Sequence, residues 1–150
     1  MIVGVLPSES AKLSTMWTIL GQPACSIAVP YWPVGETPPE ANGCKTSRLC
    51  DVALKIKSLL FDYKSSRYID SYKLCDGEGG GLWSTTFPAE DRIFEQADLK
   101  LSNWRKENPD IIEMKSTQEA LASEALSVLE KSYCELKALK LAQKKTNNKY

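Results

Sequence analysis

Histidine is absent from the 150-residue chain. That absence removes Ser-His-Asp and Cys-His nucleophile systems, zinc sites built on imidazole, and histidine acid–base catalysis. A charge of one sign is lacking too, since Lys+Arg and Asp+Glu both number 19. Bulk charge therefore gives no steer toward nucleic acid or an anionic membrane. Nor is there a run approaching the roughly 18 apolar residues that a bilayer span requires. Met1–Pro7 is apolar, but it is too short for a signal-peptide core and has no basic flank or small-residue cleavage site, so no export signal is expected. Cysteine is present but odd in number: Cys25, Cys44, Cys50, Cys75 and Cys134 cannot all pair within one chain. Cys44 and Cys50 are six apart, which is not the spacing of a zinc knuckle or a redox pair, and buried thiols are the plainer reading.

What remains is 43% hydrophobic and 25% charged, the make-up of an ordinary globular domain. The N-terminal third reads as β. Thr15–Leu20 and Ala24–Val29 are short apolar runs separated by Gly21-Gln22-Pro23, which predicts an antiparallel hairpin buried on both sides. Trp17, Ile19, Ile27 and Val29 would share one packed face. Ile2–Leu6 is a candidate third strand, with Ser8-Glu9-Ser10 as the connecting turn. From Pro30 to Pro39 the prolines predict a surface loop. There, Tyr31 and Trp32 either line a ligand wall or, as is commoner beside prolines, close the edge of a core.

Ser47 is a plausible cap for a helix whose stripe is Leu49, Val52, Ala53, Ile56, Leu59 and Leu60. Arg67–Tyr72 is a weaker strand or turn. The glycine-rich Asp76–Gly81 could cradle phosphate only between a strand and a helix N-terminus. Leu82–Pro88 after it looks extended, and no Lys-Ser/Thr pair is present, so a turn is the simpler expectation. Pro88 with Glu90 and Asp91 predicts a helix start. The apolar face beyond is Ile93, Phe94, Ala97, Leu101 and Trp104, and Asn108-Pro109 ends the helix. Glu90 with Asp91 could be read as a catalytic carboxylate pair, but a place at a helix start already accounts for them. Ser116-Thr117-Gln118-Glu119 reads as a capping box. It opens a helix through Leu121, Ala125, Leu126, Leu129, Tyr133, Leu136 and Leu139, with Lys144–Lys149 as a frayed basic tail.

The run from Thr15 to Trp32, most specifically Met16-Trp17-Thr18-Ile19-Leu20-Gly21, resembles the late β-hairpin of bacterial proteins related to acyl-coenzyme A:aminopenicillanate acyltransferase. Leu49–Leu54, Arg67-Tyr68-Ile69-Asp70 and the Glu95–Trp104 helix resemble the segments after that hairpin in the same linear-amide (C-N) hydrolase branch of the N-terminal-nucleophile hydrolases. The likeness spans about two-thirds of the chain. It implies an α+β protein: part of an α-β-β-α sandwich, antiparallel strands first and helices after. Residues 1–110 would be the C-terminal part of the hydrolase domain, and 111–150 a C-terminal helix and basic tail. In that family an N-terminal cysteine attacks an amide carbonyl, its own α-amino group serving as base, which needs no imidazole.

Met1 stands where that chemistry needs cysteine, and no cysteine precedes Cys25. Self-processing at Ala24–Cys25 would cut the hairpin in half. No residue is therefore assigned to catalysis, to a cofactor or to a metal. The resemblance implies a fragment of an amide hydrolase or acyltransferase that lacks its nucleophile and is inactive alone. The alternative is a small non-catalytic binding or scaffold domain that associates with a partner chain. The expected partners are the missing N-terminal half or a second copy, with no nucleic acid and no membrane span. A half-sandwich whose helices cover one sheet face is expected to be marginally stable.

Overall fold

The computed structural model describes residues 1–5, 10–34, 36–43, 45–61 and 71–147, with backbone alone at 71–72 and 143–147. The chain is α+β. β1 (Ile2–Val5), β2 (Thr15–Thr18) and β3 (Val29–Tyr31) form an antiparallel sheet in the order β1-β2-β3. α1 (Arg48–Leu60), the single turn α2 (Ser71–Leu74), α3 (Trp83–Trp104) and α4 (Ile111–Asn147) come after the sheet. α1 and α3 both pack on α4, and α3 and α4 close over β3.

The ladder is set by one pair of bonds. Met1 and Ile19 each donate an N–H to the other's carbonyl, at 3.1 and 2.9 Å. Bonded and non-bonded pairs alternate along an antiparallel ladder. Val3 opposite Trp17 and Val5 opposite Thr15 are thus the next bonded pairs, and the backbone N–H and C=O of Ile2 and Gly4 point away from β2. Across β2 and β3, Met16–Tyr31 and Thr18–Val29 are bonded, while Trp17 and Pro30 face each other without exchanging bonds.

This register corrects several expectations. The second strand is Val29–Tyr31 rather than Ala24–Val29, because Pro23–Cys25 forms a 3-10 turn. Pro30 lies in a strand rather than opening a loop. Its missing N–H would have faced outward at the sheet's edge, so the ladder loses nothing. Val29 shares a face with Thr18, and Trp17 lies on the opposite one, so the proposed common packed face does not exist. Both faces of β3 are covered, whereas every residue of β1 is exposed. Gly21, at φ +92°, turns the chain between the strands. A Cβ there would sit 2.8 Å from that of Ala53, so this turn lies directly on α1.

α1 forms as the sequence predicts. Ser47 caps it by accepting the Cys50 N–H, and Leu49, Val52, Ala53, Ile56 and Leu60 are buried. α3 does not. It begins at Trp83, five residues before the expected start, so Leu82–Pro88 is not extended and Pro88 sits within the helix. Leu82 starts the first turn, accepting N–H bonds from Thr85 and Thr86 as well as both threonine hydroxyls.

α4 likewise starts early. Asp110 accepts the Ile112 N–H on its side chain and the Met114 N–H on its carbonyl, so Ser116–Glu119 lies inside the helix and is not a capping box. The Ser116 hydroxyl instead bonds back to Glu113 O. The stripe Leu121, Ala125, Leu126 and Leu129 is buried, but Leu139 is exposed. The helix continues to Asn147, taking in part of the expected basic tail; 148–150 lie outside the described residues. So do 62–70, which hold most of the Arg67–Tyr72 reading; Ser71 and Tyr72 are helical. Leu6 and the Ser8-Glu9 part of the expected turn fall outside as well.

Candidate interaction surface

Cys25 is fully buried in the 3-10 turn, not in a strand, and burial pushes its thiol up to about 11. Its backbone N–H is bonded to Gln22 O within the chain, so it has no free amine to act as base. Cys75 and Cys134 are exposed free thiols, Cys50 is half-buried, and Cys44 lies outside the described residues.

Glu90 and Asp91 are in the interior of α3, not at its start, which corrects the capping explanation for them. Glu90 accepts the Ala28 N–H at 2.6 Å, and Trp83 Nε1 donates to Ala24 O at 3.1 Å. One helix face thus holds the segment that leads into β3. Consecutive helical residues diverge by about 100°, so the two carboxylates do not converge on one substrate atom.

The glycine-rich loop is satisfied from within. Asp76 Oδ1 accepts the N–H groups of Glu78 and Gly80, and these bonds hold its carboxyl below the usual carboxylate range. A helix does come after the loop, but α2 rather than a strand precedes it, and a carboxylate already fills the place an anion would take. Gly81, at φ +86°, passes so close to Leu74 O that a Cβ would lie 2.6 Å from it, and Leu82 N–H bonds Lys73 O.

Tyr31 and Trp32 are core residues. Trp32 Nε1 donates to Thr15 Oγ1 at 3.0 Å, and its ring meets Trp104 edge-on at 4.9 Å. Burial, and then the charge of Glu40, push the Tyr31 phenol up to about 12. The reading of these aromatics as a core edge holds in place of the ligand wall. An open cavity of about 530 Å³ lies just past the end of α3, lined by Ser10, Trp104, Arg105, Lys106 and Asn108. It sits at the carbonyl end of that helix, whose dipole opposes the anion its cations would otherwise attract. Among the described residues no three His, Cys, Asp or Glu side chains gather to hold a metal, and no helix is long and apolar enough to cross a membrane.

The surface that does stand out is the β1 edge. Ile2 is 66% exposed, Val3 50%, Val5 52% and the neighbouring Met16 43%. Val3 shares a face with Trp17, whose ring lies 4.1 Å from that of Phe94 on α3, and Ile2 shares the other face with Met16. No proline, charged side chain or covering helix protects Ile2–Val5 among the described residues, and these are the usual means of blunting an edge. The opposite edge, β3, is both buried and interrupted by Pro30. Sequence reasoning placed a strand here but missed its significance, because exposure depends on which strand ends up outermost.

No protein-family model matches the chain, and no curated protein or solved structure matches it either.

Proposed function

We propose that this chain is a non-catalytic assembly domain that works by strand addition at β1. The observation that carries this is the outward-facing backbone of Ile2 and Gly4, flanked on both faces by exposed apolar side chains. A strand laid beside β1 would take up those N–H and C=O groups, and its alternate side chains would cover Val3 on one face and Met16 on the other. Burial holds the Cys25 thiol protonated well above neutral pH despite the charge of Lys57, and no imidazole is present to act as base, which suits a binding role better than an amide-cleaving one.

The amide-hydrolase resemblance supplies a second reading. Here the sheet and helices are the C-terminal part of an α-β-β-α sandwich whose nucleophile-bearing sheet lies on another segment or chain. The exposed Ile2 and Met16 favour it, since further parts of such a sandwich would cover them where the helices that bury Val29 and Tyr31 on the same face do not reach. Neither reading assigns catalysis to a described residue.

Amide hydrogen exchange tests the shared claim. In the dilute chain, Val3 and Val5, whose N–H groups face β2, should be protected, and Ile2 and Gly4 should exchange freely. Protection of Ile2 and Gly4 under those conditions would show that the edge is already occupied. Release of acyl groups from simple amides by the purified chain, abolished by thiol alkylation, would overturn the non-catalytic assignment.

A further inference from the structure

We infer that the strand received by β1 is the β1 of a second copy of this chain, paired antiparallel about a two-fold axis at Val3. This rests on the reading of β1 as a docking edge and names its partner.

The ladder already described sets the register. Ile2 and Gly4 carry the outward backbone groups, so the bonded pairs across the new interface are Ile2 with Gly4 of the second copy and the reverse. Val3 then faces its own equivalent in a non-bonded pair, where side chains approach most closely. On that face the row runs Trp17, Val3, Val3, Trp17 across both copies. On the other, Ile2 of one copy comes beside Gly4 of its partner. Among the described residues nothing lies within 4 Å of where a Gly4 Cβ would be, so that space is open for the incoming isoleucine to cover Met16, which stands opposite Gly4 on β2.

Charge and area both fit. Ile2–Val5 has no ionisable side chain, so a two-fold axis at Val3 brings no like side-chain charges of that strand together. The exposed parts of Met1, Ile2, Val3, Val5 and Met16 amount to about 550 Å² per copy, taking roughly 200 Å² for a large apolar side chain. Two copies thus have at most about 1,100 Å² to bury, close to the lower limit for a specific interface. The pairing is accordingly a weak, concentration-dependent dimer.

Sedimentation equilibrium on the full chain should show the average mass rising from monomer toward dimer with concentration, unchanged by added salt. Val3→Lys, which sets two ammonium groups face to face on an exposed strand, should abolish the rise while circular dichroism stays that of the parent. Under oxidised glutathione, Val3→Cys should give a dimer whose peptide map shows a disulfide joining the two introduced thiols. Val5→Cys should not, because its two thiols would be about 13 Å apart along the strand. A chain that stays monomeric at every concentration, with no disulfide between the thiols introduced by Val3→Cys, overturns the self-pairing. Ile2 and Gly4 would then still exchange freely, and β1 would remain an open edge for a different strand. Equal linking by Val3→Cys and Val5→Cys overturns the register.

Discussion

Gln118 on α4 accepts the Trp32 backbone N–H on its Oε1 at 2.8 Å, while its Nε2 donates to Glu36 O at 3.1 Å. One amide side chain, 1% exposed, thereby fastens the chain leaving β3 to the longest helix. A glutamine so deeply buried is costly unless both ends are bonded, and here both are. Nearby on the surface, Lys115 pairs with Glu36 and reinforces the same junction from outside.

Gln118→Leu should therefore destabilise the fold by about 2–4 kcal/mol, because it leaves a buried N–H and a carbonyl unpaired. Denaturant titration measures the loss. Lys115→Ala, which breaks only the exposed pair, should cost less than about 1 kcal/mol. Equal effects would place the strength of the junction at the surface rather than in the buried amide.

Glu90→Ala should cost about 1–3 kcal/mol, since the Ala28 N–H loses a charged acceptor. Glu90→Gln keeps an acceptor and should recover most of that loss. Asp91→Ala, at an exposed neighbouring position, should be nearly neutral. The three melting curves together separate a structural tie from a carboxylate pair, which would require both residues.

Acid titration should report on the 76–81 loop. Its hydrogen bonds lower the Asp76 pKa in the folded state, so the loop's stabilisation is present above the unfolded carboxylate value and disappears as pH falls through the lowered one. The Glu78 and Gly80 amide resonances should move together over that acid window. Asp76→Asn should remove the titration.

Local chemistry was readable in the sequence wherever a short segment decided its own structure. The α1 stripe with its Ser47 cap is such a case, as is the turn at Gly21. The α+β order of antiparallel strands then helices was also readable. Misreadings arose where a distant partner decided. Pro30 reads as a strand breaker until the register shows that its absent N–H faces the sheet's edge. Ser116–Glu119 matches a capping box, yet Asp110 caps the helix upstream and the interior takes Gln118 for another use. Leu82–Phe87 has strand-like Trp, Thr and Phe, but Ala24 O and the Ser132 hydroxyl lie within bonding reach of Trp83 and Thr85 in their helical form. The β1 edge belongs with these: four apolar residues announce a strand without saying that it will be the outermost one.

Tyr31 and Cys25 set an alkaline limit on stability. Burial raises Tyr31 from 10.0 to about 12 and Cys25 from 9.0 to about 11. Each group stays protonated in the folded chain at pH values where it ionises in the unfolded one, so unfolding releases protons. Stability should hold below pH 9.0, fall as pH rises past the unfolded values, and level off only above about 12. The Tyr31 hydroxyl is buried with no hydrogen-bond partner among the described residues, so Tyr31→Phe removes a polar group left uncompensated there. At neutral pH that substitution should be neutral or stabilising by up to about 1 kcal/mol, and above pH 10.0 it should flatten the fall. Urea titrations of parent and variant at a series of pH values measure both effects. A Tyr31→Phe chain weaker at neutral pH would mean that the hydroxyl has a bonded partner in solution, with Glu40 the group already coupled to it.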